Sequence, residues 1–224
     1  MTFRLAAAAT ALVVALAGCT TTTAGGSADD DPKPNPNAKV TPIDFEGAAP
    51  PDAEVQGTFQ AAIGWKDRYG RNAVVIGIKT TEAGDTKNAL LVADHLLWEG
   101  SSWNLQRRFK QLVDQCQFDV ELEAFTGKWS LTDLDNNGLG EATFAWRSGC
   151  RSDVSPVEHK VLLVTMVDTK TAKFVLRGQT AVDDGSGQVL GGKYKADPAF
   201  EGAPKGFLKH AEKVWGLTSS EKMN

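Results

Sequence analysis

The chain has 224 residues, 42% hydrophobic and 23% charged, with a formal net charge of -4. That length accommodates one domain with tails and not two large domains. The acidic balance offers no basic footprint for phosphate backbones, which excludes nucleic acid as the main partner.

The amino terminus reads as an export signal. Arg4 precedes an apolar run, Leu5–Leu16, broken only by Thr10. As a helix this run reaches about 18 Å, short of a ~30 Å hydrocarbon core. Small residues then lead to a cysteine in Leu16-Ala17-Gly18-Cys19, as a signal peptidase requires. The quartet resembles a bacterial lipobox. That resemblance implies removal of residues 1–18, acylation of Cys19 with palmitate-type chains, and a lipid-anchored place in the cell envelope with the membrane as partner. Thr20 follows the cysteine where lipoproteins retained in an inner membrane often carry Asp, so outer-membrane sorting is expected if the host has two membranes. A plain secretory signal with an incidental cysteine is the alternative.

Residues 19–52 are expected to form a solvated tether. The stretch from Thr20 to Pro51 holds six of the nine prolines and few large apolar residues outside Ile43–Phe45, so it lacks the material for a core. Its acidic run Asp29–Asp31 reads as a solubilising element.

Residues 53–217 alternate between short apolar runs and turn signals, the pattern of antiparallel strands. Val55–Ile63 leads through Lys66–Gly70 into Ala73–Ile78. Leu90–Trp98 and Trp103–Val113 flank Glu99-Gly100-Ser101-Ser102, and Val161–Val167 and Ala172–Leu176 flank Asp168-Thr169-Lys170-Thr171. Three hairpins follow, with further strands near 118–125, 128–132 and 141–148. From Pro204 to Leu217, Phe207, Leu208, Ala211, Val214 and Trp215 recur at helical spacing, Pro204 suits a first turn and Gly216 reads as a stop. The expected class is mainly β, antiparallel hairpins and a meander with one C-terminal helix, followed by a tail at 218–224.

With Cys19 consumed by lipid, Cys116 and Cys150 remain as an even pair in an oxidising compartment, and a disulfide is expected. Two buried free thiols are the alternative.

The sharpest local feature is Asp133-Leu134-Asp135-Asn136-Asn137-Gly138-Leu139-Gly140-Glu141. Alternate spacing lets Asp133, Asp135 and Asn137 aim oxygens at one centre while Gly138 makes the sharp turn. The Leu139 carbonyl and Glu141 complete a set of hard oxygen ligands of the kind Ca²⁺ takes. The EF-hand pattern fails because its twelfth position is Phe144 and strands flank the loop. What remains resembles the calcium loop of integrin-like FG-GAP repeats, which implies Ca²⁺ as the ligand. An Asx-rich hairpin turn without metal is the alternative. Because the loop lies between Cys116 and Cys150, the disulfide is expected to pre-order it, and reduction to weaken calcium affinity.

Five motifs occur together: Trp65-x-Asp67-x-x-Gly70-x-Asn72, Asp114–Val120, the Asp133 loop, Cys150-Arg151-Ser152-Asp153-Val154-Ser155-Pro156 and Gly191-Gly192-Lys193-Tyr194. Their order resembles a family of bacterial envelope proteins labelled surface polysaccharide biosynthesis proteins. The resemblance implies a location and no particular reaction.

Arg151, Asp153 and Ser155 offer a candidate ligand site, with Arg151 recognising a carboxylate or phosphate through its planar fork; Asx-type turns before Pro156 are the simpler reading. Glu121 and Glu123 share a strand face and, with Asp133 or Asp135, match the carboxylate pair of a glycosidase, although a solvated face is the commoner use. His95, His159 and His210 lack zinc-ligand spacing. The six tryptophans fit core packing better than a sugar-stacking surface, and Arg107-Arg108-x-Lys110 reads as alternating strand surface. Two function classes follow: a non-enzymatic envelope module that binds a protein or glycan partner, and an enzyme of surface polysaccharide metabolism.

Overall fold

A computed structural model describes residues 39–183 and 185–222. The leader 1–18, Cys19 and the tether through residue 38 lie outside the described residues. Strands dominate, in chain order β1 (Thr41–Ile43), β2 (Thr58–Asp67), β3 (Gly70–Ala83), β4 (Thr86–Trp98) and β5 (Trp103–Cys116). They are followed by β6 (Asp119–Ala124), β7 (Ser130–Thr132), β8 (Glu141–Arg151), β9 (Glu158–Val167) and β10 (Lys170–Gln179). The short strands β11 (Ala181–Asp183), β12 (Val189–Gly191) and β13 (Tyr194–Ala196), the helix α1 (Phe207–Thr218) and β14 (Ser220–Lys222) complete the order. The expected class holds: mainly β, antiparallel sheets and one C-terminal helix.

One antiparallel sheet runs β1-β2-β3-β4-β5 and a second runs β13-β10-β9-β8-β6, with β7 beside β6 on the same edge of β8. Their facing surfaces form the main core: Trp65, Val74, Ile76, Leu91 and Phe109 meet Phe144, Trp146, Leu162, Val164 and Val175. β5 touches β10 through Arg107, β9 through Gln111 and β8 through the Cys116–Cys150 disulfide. It therefore crosses the second sheet obliquely, as strands do in an aligned sandwich.

The outer faces are covered too. On the second sheet, Ala145, Val161, Leu163, Phe174 and Leu176 pack under Phe207, Ala211, Val214 and Trp215 of α1. On the first, Ala73, Val75 and Leu96 pack under Phe45, Ala53 and Val55. Burial on both faces explains why the central strands read as continuous apolar runs, Ala73–Ile76 and Val161–Val164, and do not alternate.

Several boundaries differ from expectation. β1 pairs with β2, and Phe45 packs on the first sheet, so the folded body reaches back into the segment read as tether. Two apolar residues, Ile43 and Phe45, suffice because a sheet edge and an apolar face already await them. The segment read as a tail contains β14, which pairs in parallel with β11. The Asp168 hairpin turns over two residues, Asp168 and Thr169, both at positive φ, a twist matching that of the flanking strands. A further two-residue hairpin at Gly84-Asp85 joins β3 to β4. The helix starts at Phe207, with left-handed Gly206 as its cap. Pro204 thus precedes it, and Gly216 sits inside its last turn and stops nothing. Among the described residues no helix is long and apolar enough to cross a membrane.

Candidate metal loop and its clamp

The Asp133–Glu141 segment connects β7 to β8, so strands flank it as expected. Asn136 and Gly138 carry positive φ, 57° and 74°, which folds the loop back on itself. Side chains stabilise that path: Asp133 Oδ2 accepts from the Gly138 N–H (3.2 Å) and Asp135 Oδ1 from the Asn137 N–H (3.2 Å). Asn137 is turned inward on the loop. Its Nδ2 donates to Asp135 Oδ2 at 2.9 Å and its Oδ1 accepts from the Leu139 N–H at 2.7 Å.

Asp133, Asp135 and Glu141 converge, with one carboxylate oxygen from each lying within 4.8 Å of the others. Glu141 is fully buried at the first position of β8. Its Oε2 accepts from the Leu134 N–H (2.8 Å) and the Thr132 hydroxyl (3.1 Å), while Oε1 and Asp133 Oδ1 are buried without a hydrogen-bond partner. Among the described residues none of the three carboxylates forms an ion pair. Burial, reinforced by repulsion from Asp135 and Asp133 and opposed by the bonds from Leu134 and Thr132, pushes the Glu141 carboxyl up to about 7. Leu139 is buried.

The loop is clamped from the other sheet, a feature the sequence reasoning missed. Asp67, buried at the end of β2, takes the Gly140 N–H (3.1 Å) and the Trp65 indole N–H (2.8 Å) on Oδ2. Its Oδ1 takes the Tyr69 N–H (2.9 Å) and the Asn72 amide (3.1 Å). Burial pushes this carboxyl above its ordinary value while the four donors pull it down. Arg68 adds two bonds, its N–H to the Gly138 carbonyl (3.1 Å) and its guanidinium to the Asn137 carbonyl (3.0 Å). Gly140 is required because a Cβ there would collide with the Trp65 indole. The only local signal was the Trp65-x-Asp67-x-x-Gly70-x-Asn72 run itself, whose partner lies 73 positions away.

Behind the clamp the buried polar chain continues. Asn72 Oδ1 meets His95 Nε2 (3.2 Å), His95 Nδ1 meets Thr171 Oγ1 (2.7 Å), and the His95 ring stacks on Trp65 at 5.5 Å. His95 is thus a packed core histidine linking the two sheets.

The other candidates are engaged elsewhere. The Arg151 guanidinium bonds Glu121 (2.6 Å), Glu221 and the Ser155 carbonyl, which leaves no open fork for an anionic ligand. Asp153 Oδ1 accepts the Ser155 N–H at 2.9 Å, the Asx-type turn. Glu123 pairs with Arg147 at 2.8 Å and Glu121 with Arg151, so neither matches the carboxylates of a glycosidase. Trp65, Trp146 and Trp215 are buried. Trp98 and Trp103 are register partners with ring centroids 5.4 Å apart, and Trp103 donates to the Pro51 carbonyl.

No family model matches this chain, and neither the curated proteins nor the solved structures give a match.

Proposed function

We propose that this chain is a lipid-anchored, non-enzymatic binding module of the cell envelope, stabilised by Ca²⁺ in its Asp133–Glu141 loop. The calcium reading rests on one observation: Glu141 is fully buried, with one oxygen unpartnered beside Asp133 and Asp135 and, among the described residues, no basic side chain paired to any of them. Isolated carboxylates are costly to bury unless something positive satisfies them. Ca²⁺ takes six to eight hard oxygens in flexible geometry. Asp133, Asp135 and Glu141 would supply the charge, with Asn137 and the Leu139 carbonyl as neutral ligands. The site joins β7 to β8 and is clamped to the β2–β3 turn, so the ion's role here is structural. The lipobox supports the anchor, and the order of motifs resembling surface polysaccharide proteins supports the envelope, where a protein or glycan is the expected partner.

Thermal unfolding of chelator-treated protein tests the ion. Millimolar Ca²⁺ should raise Tm, since a ligand at 100 times its Kd stabilises by about 2.7 kcal/mol. Glu141→Gln and Asp133→Asn should remove the rise while leaving calcium-free Tm unchanged or higher. An unshifted Tm in the wild type would overturn the calcium reading. Detergent partition and intact mass test the anchor: the mature chain should begin at an acylated Cys19, and Cys19→Ala should be released as soluble protein.

A further inference from the structure

The run Arg107-Arg108-x-Lys110 reads in sequence as alternating strand surface, but the sandwich brings Arg107 together with basic residues of β9 and β10 on one inner face. Where β5 ends the first sheet, the inner face of the second stays open as a groove of about 200 Å³. Arg107, Arg108 and Lys110 line it from β5, Lys160 from β9, and Lys173 and Arg177 from β10; of the three on β5, Arg107 shares the inner face with Phe109, whereas Arg108 and Lys110 alternate to the outer face, where Arg108 meets Asp94. Its floor is apolar, made by Phe109, Trp146, Leu162 and Val175.

The charges are not balanced within the protein. Arg177 and Lys160 are direct register partners on adjacent strands, a pairing of like charges that destabilises a sheet. Glu158 offsets Lys160 (2.9 Å), Asp197 offsets Arg177 (3.3 Å) and Asp94 offsets Arg108 (2.7 Å). Among the described residues Arg107 finds only the Thr171 carbonyl (2.9 Å) and the face of Phe109. Among the described residues Lys173 forms no ion pair. Lys173 occupies an inner-face position in the row Lys173-Val175-Arg177 that a core would fill with aliphatic residues. Partial burial and the repulsion of Arg107 and Arg177 hold its ammonium below the ordinary lysine value. In addition, the indole N–H of Trp146 is buried without an acceptor, although buried tryptophans ordinarily find one.

We infer that this groove is an oxyanion site, in which Lys173 and Arg107 bind one carboxylate or phosphate group of a ligand. The volume is below the ~300–1,000 Å³ of whole-ligand pockets, so the groove receives a charged group and leaves the rest of the ligand outside. Charge-assisted bonds from these two cations replace repulsion between them with attraction to the anion. The site stands apart from the Asp133 loop and does not depend on calcium.

The test uses the folded chain with chelator present, titrated with inorganic phosphate, with glucuronate, and with vesicles of anionic or zwitterionic phospholipid, against sodium chloride at matched ionic strength. Saturable binding of phosphate or glucuronate beyond the salt control is expected. Binding of the sugar acid in preference would point to an acidic glycan as the source, and co-sedimentation with anionic vesicles alone to a lipid headgroup. Lys173→Met should weaken binding about tenfold or more while keeping or raising the ligand-free Tm, because it relieves repulsion. Lys173→Arg should retain binding. The inference fails if no anion binds beyond the salt control, or if Lys173→Met binds as the wild type does. It also fails if Lys173→Met lowers the ligand-free Tm, the mark of a lysine that serves packing alone.

Discussion

The Asp67 carboxylate accepts the Gly140 N–H at 3.1 Å, tying the β2–β3 turn of one sheet to the loop that enters β8 of the other. The same oxygen holds the Trp65 indole, whose ring leaves room at position 140 for glycine alone. One buried acid thus sets the hairpin, the tryptophan and the end of the candidate metal loop together.

Asp67→Ala should therefore be among the most destabilising single changes in this domain. It strands three donors, of which the indole of Trp65 and the N–H of Gly140 belong to buried residues, and leaves the Asn72 amide only its 3.3 Å bond to the Gly70 carbonyl. Unsatisfied buried groups cost about 1–3 kcal/mol each, so a loss of roughly 3 kcal/mol or more is expected in urea unfolding. Calcium affinity should fall as well, although Asp67 is no ligand. Retention of wild-type stability would show that the loop does not depend on this clamp.

The disulfide joins Cys116 at the end of β5 to Cys150, with Cα atoms 5.5 Å apart. Closing 34 residues of chain contributes about 3–4 kcal/mol on the chain-entropy account. However, Cys150 and Glu141 stand at opposite ends of β8, about 30 Å apart at the rise of a strand. The expectation that the disulfide pre-orders the loop therefore gives way to the clamp. Replacing both cysteines by serine should lower the unfolding midpoint while leaving the calcium-dependent shift in Tm intact, and a shift that vanished with the disulfide would restore the earlier expectation.

What the sequence made readable was local. Trp98 and Trp103 astride Glu99–Ser102 announced a hairpin, and Asp133, Asp135 and Glu141 announced a convergence of carboxylates, because spacing along one segment decides both. The remainder depends on contacts between distant segments. Nothing near Ser220 says that it will pair with Ala181, and nothing near Lys173 says that Arg107 will face it across the sandwich. Arg151 illustrates the same limit, since its isolated motif suggested a ligand fork whereas Glu221, 70 residues on, occupies it.

Acid should weaken the fold through its histidines. His95 and His159 are fully buried, and burial lowers each pKa to about 4, against about 6.5 in the unfolded chain. Between those values the unfolded state binds protons that the folded state refuses, so stability falls as pH drops from about 6.5 to about 4. The slope is at most ~1.4 kcal/mol per pH unit for each histidine. Glu141 acts in the opposite sense: raised to about 7 in the fold, it favours the protonated native state as pH falls through that value. Comparing wild type with His95→Gln in chelator isolates the first effect. The variant should show a shallower loss of stability on acidification, and parallel curves would remove His95 as a contributor.

The C-terminal strand gives the last prediction. Residues 218–224 read as a tail, yet β14 lies parallel to β11, and the Ser219 carbonyl accepts the Ala181 N–H at 2.7 Å. Glu221 is buried between Arg151 and Arg147, with its side chain only 6% exposed. Truncation after Ser219 removes that acid and the strand that carries it. Arg151 keeps Glu121 as partner and Arg147 keeps Glu123, so the cost should be below the 3–5 kcal/mol of breaking a fully buried pair, roughly 2–3 kcal/mol. Glu221→Gln separates the two contributions, since it preserves the backbone pairing and removes the charge. It should cost less than truncation, and its deficit should shrink at high salt only slightly, because buried pairs are poorly screened. Chemical unfolding of the three proteins decides the matter: equal midpoints for truncated and full-length chains would return these residues to the status of a free tail.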